Sequence, residues 1–198
     1  VTVYNDDPVE QAKLFEAAGA EWLHMVDLDG AKSGNADNIA VVERILAATT
    51  LKVEIGGGIR SMEVIDRYVC VGIDRVILGT AAVTSEGFVE EAVAKYGDKI
   101  AVGIDIKDGY VAIKGWTEKS ELEAMDFTAR MQQIGVKTLI CTDISRDGAM
   151  QGTNHSLYRE LSEKFSMDII ASGGVSSIDD IKRLREMDIH GAIIGKAY

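Results

Sequence analysis

The sequence is short of several things, and each shortage narrows what it can be. Its 198 residues hold one proline and two cysteines. The lone proline, Pro8, leaves no Pro-rich linker, and no low-complexity tract divides the chain. One domain is therefore expected, long enough to bury a full core. Cys70 and Cys141 stand 71 positions apart and form no metal or redox motif; a reducing, cytoplasmic setting fits. Basic residues are outnumbered, 21 Lys and Arg against 32 Asp and Glu, and the net charge of −11 argues against a nucleic-acid or anionic-membrane partner. No apolar run is long enough to span a membrane, and no signal-peptide pattern is present. The three histidines, His24, His155 and His190, have no metal-ligand spacing, so no metal is expected. His24 reads as a core residue of a strand, the other two as surface or helix-end positions. No nucleophile–base pair is visible.

What the chain does have is glycine at informative places. Ile55-Gly56-Gly57-Gly58-Ile59-Arg60 follows the β-type run Lys52–Ile55 and precedes a helical pattern. Ala171-Ser172-Gly173-Gly174-Val175-Ser176 repeats that arrangement after Met167–Ile170. Strand, glycines, helix is a geometry that turns bare backbone N–H groups toward an anion, with the helix N-terminus adding partial positive charge. An acidic protein can still bind phosphate this way, because the amides act locally. A second glycine segment follows each: Ile77-Leu78-Gly79-Thr80-Ala81, and Ile193-Ile194-Gly195-Lys196-Ala197. Gly58 to Gly79 is 21 positions, and so is Gly174 to Gly195.

Equal spacing points to duplication. A shift of 116 superposes Gly57, Gly58, Gly79 and Ala81 on Gly173, Gly174, Gly195 and Ala197, and also Asp27 on Asp143 and Asn38 on Asn154, without a gap. Residues 1–82 pair with 117–198 and leave 83–116 unmatched. The unmatched piece holds a helix, a strand and a long loop. Its counterparts would be a strand before Val1 and a helix after Tyr198, so the chain reads as a two-fold repeat lacking its first strand and last helix.

Taken in order, Val1–Tyr4 is β-like, and Asp7-Pro8-Val9-Glu10 starts a helix with a capping box that runs to Gly19. Trp22–Leu28 is a buried strand, and 31–37 a loop. Asn38–Ala48 is a helix with Ile39, Val42, Ile45 and Leu46 on one face. A helix at 61–71, a strand at 75–78 and a helix at 85–96 follow. The strand 100–106 is succeeded by a polar loop, a helix at 122–135, a strand at 138–142, a polar loop at 143–154 and a helix at 156–165. The second glycine loop, a helix and the strand 192–194 close the chain. Seven near-continuously apolar strands alternate with amphipathic helices, which argues for a parallel sheet covered by helices. Equal halves favour closure, so the expected fold class is α/β, a (β/α)8 TIM barrel built from two half-barrel repeats as a single domain, 1–198. Such barrels usually need about 250 residues.

Active sites of such barrels lie at the C-terminal ends of the strands. The polar residues there are Asp27, Asp29, Asp105, Thr142 and Asp143. Asp105 ends the apolar strand Ala101–Ile104. A carboxyl placed there is partly desolvated, which raises its pKa as a general acid needs. Asp27 and Asp143 match under the repeat, so part of their job is shared and structural. Trp116, in a strand-end loop, can stack on a flat ring.

The segments Leu23–Ala31, Gly56–Ser61, Gly79–Val83, Val111–Trp116 and Thr142–Gly148 together resemble the two-fold-repeat barrels of histidine biosynthesis. That family comprises phosphoribosylformimino-aminoimidazole carboxamide ribotide isomerases and the cyclase subunits of imidazole glycerol phosphate synthase. The Asp27–Ala31 segment and the Lys114-Gly115-Trp116 loop are more similar to the isomerases. The resemblance implies an Amadori rearrangement of a bisphosphorylated aminoaldose to an aminoketose, with no cofactor, by a monomer acting on a small molecule. It implies one phosphate on Gly57, Gly58, Gly79 and Thr80, the other on Gly173, Gly174, Gly195 and Lys196, with Trp116, Asp27 and Asp143 among the substrate-binding residues. It implies Asp105 as the general acid at the ring oxygen, assisted by Thr142. The family's second aspartate belongs on the first strand, which this reading finds missing. A cyclase, an isomerase that also accepts phosphoribosyl anthranilate, and a phosphate-binding barrel without turnover are the alternatives.

Overall fold

The computed structural model describes residues 6–113, 118–146 and 152–195. The expected strand at Val1–Tyr4 lies outside them. The chain falls into two compact units, residues 1–81 and 82–198.

The first unit opens with α1 (Pro8–Ala17), whose N-cap Asp7 accepts from the Val9 N–H at 2.9 Å. Glu10 pairs with Lys13 one turn on. Then come β1 (Trp22–Val26), α2 (Leu28–Ser33), α3 (Ile39–Ala48), β2 (Lys52–Gly56), α4 (Met62–Cys70) and β3 (Arg75–Leu78). The strands are parallel in the order β1-β2-β3, with Val26 opposite Gly56 and Glu54 opposite Arg75. Every residue of β3, and all but the first of β2, is buried, as parallel strands covered on both faces require. The sequence suggested the same for β1, and here the structure differs. Trp22 and Val26 are 41% and 54% exposed, because among the described residues β1 pairs along one edge only, with β2. The segment 31–37, read as a loop, instead begins inside α2, which Asp27 caps.

Below the apolar layer of these strands lies a charged cluster. Arg75 donates to Glu54 through Nε (2.9 Å) and Nη2 (2.7 Å), and His24 Nδ1 lies 2.8 Å from the other Glu54 oxygen. The Arg75 guanidinium stacks over Trp22 at 4.3 Å, a favourable cation–π distance. Burial alone would push the Glu54 pKa up, but His24 and Arg75 overcome it and hold the carboxyl below its ordinary range.

α5 (Thr80–Thr84) carries the chain into the second unit. There follow α6 (Phe88–Tyr96), a 3-10 turn (Gly97–Lys99), β4 (Ile100–Lys107), β5 (Tyr110–Ile113), β6 (Glu118–Glu123), α7 (Ala124–Ile134), β7 (Thr138–Asp143), α8 (His155–Lys164), β8 (Asp168–Ser172), α9 (Ile178–Glu186) and β9 (Gly191–Ala192). β4, β7, β8 and β9 are parallel neighbours in that order. Two expectations need correction. The helix read at 85–96 starts later, at Phe88, with Gly87 at φ 76° as its N-cap, and a separate short helix, α5, precedes it. The polar loop after β4 is an antiparallel hairpin, β5–β6, folded back on β4. Its first turn is Asp108-Gly109, both at positive φ (53° and 82°), the type I′ signature that brings Lys107 opposite Tyr110. Among the described residues seven parallel strands thus alternate with helices, as expected, and two antiparallel strands are added. The fold is α/β, of the (β/α)-barrel class.

Candidate functional site

In the first unit the glycine loop leaves β2 and turns at once. Gly57 and Gly58 have φ of 114° and 68°, a region that glycine enters without steric cost. A side chain would also have no room. A Cβ on Gly57 would strike the Asp27 carbonyl, and one on Gly58 the Gly30 carbonyl, with Ala31 Cα 2.7 Å away. The loop is thus pressed against the turn that follows β1. Among the described residues, the N–H groups of Gly57 and Gly58 enter no hydrogen bond. Further along, Gly79 leaves open space around it, and Thr80 begins α5.

One amide of the helix end expected to add its dipole has a side-chain partner. Ser61 Oγ takes the Val64 N–H at 3.4 Å, capping α4. What the loop offers an anion is the pair of glycine amides.

The second unit repeats the arrangement after β8. Gly173 and Gly174 have φ of 85° and 80° and are buried. A Cβ on Gly174 would stand 2.5 Å from the Gly152 carbonyl and 2.9 Å from Arg146 Cβ. Their N–H groups, too, enter no hydrogen bond among the described residues. A buried N–H without a partner is rare in folded proteins, so a bound anion or water is the expected acceptor. Gly195 is exposed with open space around it. Lys196 and Trp116 lie outside the described residues.

The same unit brings the two chemically suggestive side chains together. Asp105 on β4 is in register with Thr142 on β7, and Thr142 with Ser172 on β8. Three adjacent parallel strands therefore end in one polar row, Asp105-Thr142-Ser172, with the glycine loop starting at the next residue. Asp105 and Thr142 are both half-buried. Ser172 escaped the sequence reading as a candidate in its own right; its position two residues before Gly174 was the available signal. Below the row the Tyr158 hydroxyl lies 2.8 Å from both the Cys141 and Ser172 carbonyls and accepts from the Ser172 N–H at 3.2 Å. This fully buried tyrosine fixes the ends of β7 and β8.

Asp27 and Asp143, expected among the substrate-binding residues and to share a structural job, both hold the loops that follow their strands. Asp27 is 2% exposed. It accepts from Gly30 N–H (2.9 Å), Asn38 N–H (3.1 Å), Asn38 Nδ2 (2.7 Å) and the Tyr68 hydroxyl (3.0 Å). Burial would raise its pKa, but those donors outweigh burial and hold it below the usual carboxylate range. Asp143 accepts from Ser145 N–H (2.9 Å), Ser145 Oγ (2.5 Å) and Asn154 Nδ2 (2.6 Å). Each aspartate is a latch that ties the start of a strand-end loop to the asparagine closing it. A cavity of about 630 Å³ lies between α8 and the end of α9, bordered by His155, Arg159, Ser162, Arg183 and Asp188, and its lining includes none of the strand-end row. No helix among the described residues is long and apolar enough to cross a membrane.

Parallel β/α units define a protein of the (β/α)-barrel class. The chain matches the family described as histidine biosynthesis protein over residues 1–198, and it belongs to that family. It is 50% identical over 196 residues to a 1-(5-phosphoribosyl)-5-((5-phosphoribosylamino)methylideneamino)imidazole-4-carboxamide isomerase of Oceanobacillus iheyensis, covering 99% of this chain and 82% of that one. Isomerases of the same name from Bacillus anthracis and Bacillus cereus are 50% identical over the same shares.

Proposed function

We propose that this chain is a sugar-phosphate isomerase of histidine biosynthesis, converting a bisphosphorylated aminoaldose to the aminoketose by an Amadori rearrangement. The observation that carries the chemistry is the register of Asp105 with Thr142 at the ends of β4 and β7, one strand from a glycine loop. The relatives' name supplies the substrate class, a molecule with two phosphoribosyl groups.

In this reading each glycine loop takes one phosphate. Gly57, Gly58, Gly79 and Thr80 serve the first, and Gly173, Gly174, Gly195 and Lys196 the second. Backbone amides suit the task because they bind a dianion without adding a mobile side chain. Asp105 acts as general acid. It gives its proton to the ribose ring oxygen as the C1–O bond breaks, and the nitrogen lone pair forms the C1=N bond of an open-chain imine. Loss of the C2 proton then gives a neutral enolamine, and protonation at C1, with loss of the C2 hydroxyl proton, gives the ketose. The base at C2 is not assigned to a described residue. Thr142, beside Asp105 in register, orients its carboxyl. Asp27 and Asp143 shape the loops and do not touch substrate.

The test is Asp105→Asn, assayed for conversion of the aminoaldose. Loss of the acid should lower kcat by about 10²–10⁴-fold, with phosphate binding retained. Near-normal turnover would remove Asp105 from the mechanism. Phosphate binding by the unsubstituted chain with no turnover at all would favour a binding protein instead.

A further inference from the structure

The two glycine loops are not held in the same way, and the difference lies at repeat-related positions. In the first unit, positions 39 and 64 are Ile39 and Val64; a shift of 116 gives His155 and Asp180 in the second. Asp180 is 7% exposed, at the third residue of α9. One of its oxygens, Oδ2, accepts from Ser176 N–H (3.0 Å), Ser176 Oγ (2.9 Å), Ser177 N–H (3.1 Å) and Ser177 Oγ (3.2 Å). The other, Oδ1, faces His155 Nε2 at 3.6 Å and Gly152, where an added Cβ would stand 3.3 Å away. Gly152 is the residue whose carbonyl presses on Gly174.

We propose that Asp180 is a positioning residue for the second glycine loop, holding Ser176 and Ser177 so that the N–H groups of Gly173 and Gly174 stay turned toward a phosphate. The proposal rests on the reading of that loop as a phosphate site. The logic is one of competition. Ser176 and Ser177 carry four donors next to the loop, and each is an alternative partner for an incoming phosphate. A single buried acceptor that takes all four leaves the glycine amides as the open donors. It also fixes the far end of the loop, while the Gly152 carbonyl fixes the near end. α4 in the first unit keeps only the serine cap, Ser61 to Val64 N–H, so the carboxylate is an addition specific to the second loop.

Asp180→Val reproduces the residue of the first unit, where the serine cap forms without a carboxylate, so α9 keeps its cap. Inorganic phosphate is titrated while the amide resonances of Gly57, Gly58, Gly173 and Gly174 are followed, and KM and kcat for the aminoaldose are measured alongside. In Asp180→Val the phosphate affinity read at Gly173 and Gly174 should fall about tenfold, and KM should rise by a similar factor, the effect of losing well-placed hydrogen bonds. Gly57 and Gly58 should titrate unchanged. Asp180→Asn keeps an oxygen at the Oδ2 position and should stay within about threefold of the unsubstituted protein. Should the valine variant fail to fold, Asp180→Ser, too short to reach the Ser176 N–H, gives the same readout. Unchanged affinity at Gly173 and Gly174 in the valine or serine variant overturns the inference, as does an asparagine variant impaired as much as valine. Phosphate that moves none of the four glycine amides of the unsubstituted protein overturns the phosphate reading itself.

Discussion

Replacing Asp27 with alanine should destabilise the first unit by about 2–4 kcal/mol, and the reasoning can be followed bond by bond. Four donors converge on this carboxylate, and one of them, the Tyr68 hydroxyl, belongs to a side chain with no exposed surface. Truncation leaves that hydroxyl buried without its acceptor, at a cost of about 1–3 kcal/mol. It removes the N-cap of α2 as well, about 1 kcal/mol more, and frees Asn38 from the strand end. For a chain of this size a loss of about 2–4 kcal/mol lowers Tm by about 10 °C. Urea unfolding and a thermal scan measure both. The decisive variant is Asp27→Ala with Tyr68→Phe. Removing the stranded hydroxyl should recover about 1–3 kcal/mol. If the double variant is no more stable than Asp27→Ala alone, the Tyr68 hydrogen bond is not the source of the cost and the argument fails. The pH dependence follows with its sign. The folded pKa of Asp27 lies below the ordinary 3.8. Its contribution is therefore complete above the unfolded pKa and lost as pH falls through the lowered folded value. Asp27→Asn should flatten that acid limb.

Other substitutions test the neighbouring claims. Gly58→Ala places a Cβ on the Gly30 carbonyl at φ 68°, a backbone region costing about 1–2 kcal/mol before any overlap; phosphate titrations should lose the first glycine loop while the second still responds. Glu54→Gln leaves Arg75 buried beside a neutral partner and should cost about 3–5 kcal/mol in urea unfolding, whereas Glu54→Leu with Arg75→Met should recover much of it. Because the Glu54 carboxyl is held below its ordinary 4.5, its contribution too is present above that value and fades as pH falls through the folded one.

Periodicity and glycine spacing made most of this fold legible. The seven parallel strands, the outer helices and the 116-residue offset follow from local patterns that survive in sequence. Contacts between distant residues did not. Tyr68 meets Asp27 across 41 positions, and a shift of 116 takes Tyr68 to Leu184, so the repeat gave no hint of it. The β5–β6 hairpin was hidden for a different reason. Its turn signal, Asp108-Gly109, stood among polar residues and passed as part of a loop. A serine three residues before a helical amide can cap it, and Ser61 and Ser177 do so, which satisfies one of the free amides at each helix terminus. At the site, Asp105 and Thr142 were legible as strand ends, but their adjacency depended on a register that the sequence does not state.

The two units show which features the architecture itself demands and which are particular to one half. The Asp–Asn latch is present in both, 27 with 38 and 143 with 154, so closing a strand-end loop is a requirement of the β/α unit. The buried tyrosine is present in both but arrives from different helices, Tyr68 from α4 and Tyr158 from α8, so a hydroxyl beneath the strand ends matters more than its origin. The strand ends themselves diverge. Val26 pairs with Gly56 in the first unit, and the repeat-related pair in the second is Thr142 with Ser172. The same register therefore holds an apolar pair in one half and a polar pair beside Asp105 in the other. If both halves existed only to bind phosphate, nothing would favour hydroxyls at one set of strand ends alone. Among the described residues these hydroxyls stand in the unit that also carries Asp105 and Asp180, which supports the acid–base role proposed there alongside the anion binding proposed for both glycine loops.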